Sequence, residues 1–149
     1  MEWVKEFYGT TIGLDTAPLI YFVEEHPVYL PQVDSFFEAM GRGDIEVVTS
    51  TLTLLEVLVR PYRRGDRSLV AQYSEMILKT RHLSAVPVSP EIAEEAARIR
   101  AKYQTATPDS IQLATALVTG ATCFLSNDDS LPEIPGVTLI VLKRLIASK

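Results

Sequence analysis

The chain has 149 residues, 47% of them hydrophobic and 22% charged, with a formal net charge of −5 at pH 7. That length suits one domain with a proper core and is short for two, and the apolar share excludes a disordered chain. No apolar run nears the ~20 residues of a membrane-spanning helix, and the acidic balance argues against broad, non-specific attachment to nucleic acid, which needs many cations facing phosphates.

The opening segment MEWVKEFYGTTIGLD lacks the basic-then-apolar layout of a secretory signal. YGTTIGLD reads as a β-strand ending at Asp15, and TAPLIYFVEE as a short helix with Pro18 in its first turn. A second helix follows Pro31, with Val33, Phe36, Phe37 and Met40 as its apolar stripe and Gly41 and Gly43 at its end. IEVVTS is a second strand, and Ser50 or Thr51 caps a helix through LTLLEVLVR that stops at Pro61.

Asp66 or Ser68 opens the next helix, with Leu69, Tyr73, Met76 and Ile77 on one side, and AVPVS supplies a short strand. Ser89-Pro90-Glu91 is a helix start of cap, first-turn proline and first-turn acid, and Thr107-Pro108-Asp109 repeats it at the head of SIQLATALVTG, which closes at Gly120. ATCFLS and GVTLIVLKR add two strands. Alternating helices and continuously apolar strands imply a mostly parallel sheet of about five strands covered on both faces, a three-layer α/β/α sandwich. No repeat or linker interrupts it, so a single domain over residues 1–149 is expected.

Four acids stand where one element turns into the next: Asp15, Glu56, Asp109 and Asp128. In an open parallel sheet, sites lie outside the carboxyl ends of the strands. Asp15 directly follows the first strand and Asp128 lies two residues past CFLS, so both face that edge. Asp109 shares a helical stripe with Leu113, Ala116 and Leu117, and Glu56 shares one with Leu52, Leu55 and Val59. Alone, Asp15 could cap the following helix, Asp109 could serve the helix dipole and Asp128 could close an Asx turn. Together they need a cation, because carboxylates ~5 Å apart at an effective dielectric near 20 repel by roughly 3 kcal/mol per pair. Carboxylates suit a hard divalent ion. Cys123, in an apolar run, reads as buried filler, and His26 and His82 in unrelated settings build no zinc site.

The segments LDTAPLIYF, STLTLLEVLVRPYRRGD and TPDSIQLATALVTGATCFLSNDDSL resemble, in order and separation, the motifs of the PIN-domain family, and within it the VapC-type toxins of toxin–antitoxin pairs. The likeness runs from about Ile12 to Leu142. Pro18 and Ser126 depart from common family choices, and Asp128 is preferred over Asp129 as the fourth acid because it follows Asn127 directly.

The resemblance implies a Mg2+- or Mn2+-dependent endoribonuclease, the toxin of a type II toxin–antitoxin system. Asp15 and Asp109 would be the principal metal ligands. Glu56 and Asp128 would hold a second ion or orient the attacking water, and Thr16, Ser126 and Asn127 would support the ligands or contact a phosphate. The run RPYRRGDR carries Arg60, Arg63, Arg64 and Arg67, which could steer an RNA backbone over the acids, with Tyr62 stacking on a base. A small antitoxin protein, a homodimer and a cytoplasmic location, with no membrane, complete the expectation. Its competitors are a non-catalytic PIN-like binding module for RNA or protein, and an aspartate-based phosphatase or phospho-acceptor domain. Against the latter, Ala17 stands two residues after Asp15, and the late strands are expected to bring no lysine near Asp128.

Overall fold

The computed structural model describes residues 3–147. Strands β1 (Thr11–Leu14), β2 (Glu46–Ser50), β3 (Leu83–Val86), β4 (Cys123–Ser126) and β5 (Thr138–Val141) form one sheet in the order β3-β2-β1-β4-β5. Every neighbouring pair is parallel. The chain builds outward from β1 to β2 and β3 on one side, then crosses to β4 and β5 on the other. The gap between the ends of β1 and β4 is therefore the topological switch point, where the crevice of an open α/β sheet lies.

Helices α1 (Thr16–Val23), α2 (Leu30–Arg42), α3 (Thr51–Arg64), α4 (Arg67–Lys79), α5 (Pro90–Tyr103), α6 (Thr107–Val118) and α7 (Leu142–Ala147) connect or follow the strands. Side chains alternate along each strand, and the alternation divides the core in two. Ile12, Leu14, Val47, Leu83, Cys123, Leu125 and Ile140 pack with Leu19, Phe36, Phe37, Met40, Tyr73 and Ile77 from α1, α2 and α4. On the opposite face Phe124 packs with Ile92 and Ile99 of α5 and Leu113 and Ala116 of α6. The three layers are those expected.

Gly13 explains how α6 comes so near the middle strand. A methyl group there would lie 2.7 Å from Ala116 Cβ and 2.9 Å from Phe124 Cδ1, so only a residue without a side chain allows the approach. The head of α6, with Asp109, is thereby held beside the end of β1.

Several expected boundaries shift. Helix α3 does not stop at Pro61 but runs on to Arg64, with Gly65 at φ +66° as its terminator. Pro61 is buried there, and its missing N–H costs the helix one internal bond. Strand β3 covers Leu83–Val86 rather than AVPVS, because Pro87 has no N–H for the ladder. GVTLIVLKR is strand only to Val141, and Leu142 begins α7. The cap of α6 is Ala106, not Thr107, and it makes no side-chain capping bond. A 3-10 helix at Trp3–Phe7 was not foreseen. Its Trp3 ring stacks on Phe36 at 6.1 Å and donates its indole N–H to the Gln32 carbonyl at 3.1 Å.

The largest correction concerns α3. The stripe expected to face the sheet, Leu55 and Val59 with Glu56, faces outward: Leu55 is 61% exposed and Val59 38%. The buried face carries Thr53, Val57 and Pro61. A threonine reads as surface in a hydrophobic pattern, but it is accommodated inside when its hydroxyl is hydrogen-bonded.

Candidate metal centre

Asp15 stands at the end of β1, where its backbone N–H donates to the Leu125 carbonyl of β4 at 2.9 Å. Its side chain is held on both sides. Oδ1 accepts from the Thr16 N–H at 2.8 Å, capping α1, and Oδ2 accepts from the Ser126 hydroxyl at 2.7 Å. Burial, the largest influence, raises its pKa. The hydrogen bonds from Ser126 and Thr16 oppose that rise, and the charges of Glu56 and Asp128 add to it.

Asp109 lies in the first turn of α6, half-buried. Among the described residues its carboxylate has no hydrogen-bond or ion-pair partner. Burial raises its pKa, and the charges of Asp15, Asp128 and Glu56 raise it further, in that order. Asp109 thus feels each of the other three acids across one crevice.

Glu56 is exposed, on the outward face of α3, yet it reaches the crevice through Thr16, whose hydroxyl donates to its Oε1 at 2.7 Å. Asp128 performs turn duty as well: its Oδ1 accepts from the Ser130 N–H at 2.9 Å and from the Ser130 hydroxyl at 2.5 Å. Those two bonds, first the hydroxyl's, lower its pKa, and the charge of Lys143 lowers it further. A lysine does therefore stand near Asp128, contrary to expectation, because α7 follows β5 directly and pairs Lys143 with Asp129 at 3.8 Å. Ser126 joins the two aspartates, donating to Asp15 and accepting from the Asp128 N–H at 3.0 Å. Asn127 is engaged at both ends, donating to the Tyr21 hydroxyl at 3.2 Å and accepting from the Lys143 N–H at 2.8 Å. Its side chain secures α1 and α7, which leaves little of it free for a phosphate.

The four arginines are exposed and, among the described residues, in no ion pair. They do not act as one block. Arg60 and Arg64 line a cavity of about 80 Å³ together with Glu24, Glu56 and Tyr73. Arg67 lines a separate apolar depression of about 260 Å³ with Pro61, Tyr62 and Val70.

The donor set is four carboxylates and no histidine or thiolate, which suits a hard divalent cation held by oxygen. The unrelieved mutual repulsion at Asp109 is what such a charge would remove. The acids are spread, however: among the described residues no group of three or more His, Cys, Asp or Glu lies close enough to hold a metal ion. Glu56 is drawn to Thr16 and Asp128 to Ser130, so these two acids are satisfied locally. The fit is one of chemistry and position, with side-chain rotation needed to complete a ligand shell.

Residues missed by the sequence pattern lie beneath these acids. Thr49, Thr53 and Gln112 are buried and hydrogen-bonded to one another. The one signal for them is that Gln112 stands a helical turn from Asp109 in an otherwise apolar stretch.

The chain belongs to the PIN domain family, whose model matches residues 12–137. Comparison with curated protein sequences gives no significant match. Among solved structures, the fold is similar to VapBC2 from Rickettsia felis bound to a DNA fragment from its promoter, at 15% identity and a TM-score of 0.69, covering 88% of this chain and 98% of that one. It is similar as well to a toxin–antitoxin complex from Klebsiella pneumoniae, at 23% identity and a TM-score of 0.63, covering 87% and 96%. VapBC-5 from Mycobacterium tuberculosis gives 17% identity and a TM-score of 0.56, covering 89% and 98%. At these identities the likeness is one of fold.

Proposed function

We propose that this chain is a divalent-metal-dependent endoribonuclease and the toxin of a toxin–antitoxin pair. The observation that supports the reading is electrostatic: Asp109, at the head of α6, feels the charges of Asp15, Asp128 and Glu56, and burial raises the pKa of both Asp15 and Asp109. The family match supports a nuclease, and the toxin–antitoxin neighbours support a protein partner.

In this reading Asp15 and Asp109 hold Mg2+ or Mn2+, and Glu56 and Asp128 complete the shell or orient the attacking water. The ion, when bound, supplies charge relief at the phosphate and lowers the pKa of water. Thr16 and Ser126 keep the carboxylate oxygens aimed. Arg60 and Arg64, beside Glu56, draw the phosphate backbone toward the acids. Partner and assembly follow the same reading: a small antitoxin covers the crevice, two copies associate, and the protein works in the cytoplasm. No helix among the described residues is long and apolar enough to cross a membrane.

The test is RNA cleavage with and without Mn2+ or Mg2+, using native, Asp15→Asn and Asp109→Asn proteins. The proposal expects metal-dependent cutting that both substitutions abolish while circular dichroism stays native. Cutting retained in both variants removes the metal assignment. One observation favours a second reading, a non-catalytic PIN module: the acids are not drawn into a ligand group. Native protein that binds RNA without cutting it in either metal supports that reading.

A further inference from the structure

The interior of a sheet-covering helix is an expensive place for polar groups, and here three of them cluster. Thr53 is 0% exposed, Thr49 1% and Gln112 3%. Gln112 Nε2 donates to Thr53 Oγ1 at 2.6 Å, and Thr49 Oγ1 lies 2.9 Å from both Thr53 Oγ1 and the Leu14 carbonyl. Thr53 Oγ1 is also 3.3 Å from Thr16 Oγ1, which gives its proton to Glu56. Thr53 has one proton and two hydroxyl neighbours. Whichever receives it, Gln112 supplies the donor that its oxygen accepts.

The elements joined in this way are those that carry three of the four acids. The Leu14 carbonyl and Thr16 bracket Asp15, Thr53 lies one turn before Glu56 on α3, and Gln112 lies one turn after Asp109 on α6. Meanwhile Gln112 Oε1 is buried and, among the described residues, has no hydrogen-bond partner, which costs the folded chain stability. We propose that Gln112 and Thr53 are positioning residues: they fix the relative placement of α3, α6 and the end of β1, and so set the affinity of the acidic crevice for its divalent ion. This inference rests on the metal-centre reading above. Neither residue touches the reacting atoms.

The test is a Mn2+ titration of native, Gln112→Met, Thr53→Val and Thr53→Ser proteins, followed by melting temperature, with kcat and KM for RNA cleavage measured alongside. Methionine and valine preserve volume and remove the polar link, whereas serine keeps the hydroxyl. Gln112→Met and Thr53→Val should weaken Mn2+ binding by roughly tenfold or more, as loss of an outer partner of a metal site does. Metal-free melting of Gln112→Met should stay level or rise, since an unpartnered buried oxygen is removed. Thr53→Ser should restore Mn2+ affinity, and kcat should fall more than KM rises. If either valine or methionine substitution does not fold, the other and the serine variant still decide the matter. Native-like Mn2+ affinity in a folded Gln112→Met or Thr53→Val protein overturns the positioning role alone. A native protein with no response to Mn2+ overturns both this inference and the metal centre beneath it.

Discussion

The Thr16 hydroxyl donates to Glu56 Oε1 at 2.7 Å, tying the residue after Asp15 to a carboxylate on a different helix. This bond is why an outward-facing glutamate still belongs to the crevice. Substituting Thr16 by valine removes it without changing volume. A hydrogen bond to a charged group at this exposure is worth about 1 kcal/mol, so chemical denaturation should show a loss of that order. RNA cleavage should fall roughly tenfold, while Thr16→Ser keeps most of it.

The acidity of the crevice has a sign. Asp15 and Asp109 have folded-state pKa values above the ordinary 3.8, with burial as the largest cause in both. Between 3.8 and the raised values the folded chain binds more protons than the unfolded one, so these two residues' contribution to stability is lost as pH climbs through that window. Metal-free protein should therefore melt higher at mildly acidic than at neutral pH. The Asp15→Asn, Asp109→Asn double variant should flatten that slope and melt higher at neutral pH. Asp128 works in the opposite sense: its pKa is lowered by Ser130, so its contribution stands above 3.8 and fades as pH falls below it.

The seat of α6 on β1 is tested by a pair of glycines. At Gly13 an added methyl group meets Ala116 Cβ at 2.7 Å, and overpacking of this kind costs about 1–3 kcal/mol. Gly41, inside α2, has nothing within 4 Å of the same methyl group, so Gly41→Ala should stabilise by roughly 0.5–1 kcal/mol. Urea denaturation of both variants checks the contrast, and a Gly13→Ala protein as stable as native would contradict the close approach.

Much of this architecture was written in the chain. The apolar runs at Thr11–Leu14 and Cys123–Ser126 and the cap-proline-acid start at Ser89 specified their elements with little ambiguity. Alternation of strand and helix specified the layers. The hydrophobic pattern misread α3 because it treats Leu55 as core and Thr53 as surface. What decides the helix's rotation is a set of partners on β2 and α6, far away in sequence and invisible to any local window. The same long-range ties hid α7, whose first turn receives Asn127 from the end of β4. Asp15, Asp109 and Asp128 were legible as residues standing at element ends, whereas Glu56 lies inside α3; the spread of the acids, with Glu56 held by Thr16 and Asp128 by Ser130, was not.

The divided arginines make a prediction about substrate. Arg60 and Arg64 line the cavity that contains Glu56, and Arg63 does not. Replacing Arg60 and Arg64 together by alanine should raise KM for RNA and flatten its salt dependence, each lost phosphate contact removing about 0.7 from the slope of log affinity against log salt. Arg63→Ala should change both far less. Cleavage assays across a salt series compare them directly.

One hard cation should join β1 to α6. Crystals soaked in Mn2+ and measured at its absorption edge test that without reference to activity. An anomalous peak within coordination distance of both the Asp15 and Asp109 carboxylates is the predicted result, with Glu56 or Asp128 turned toward it. A saturating soak that leaves the crevice without a peak, or places it on one aspartate alone, contradicts the account.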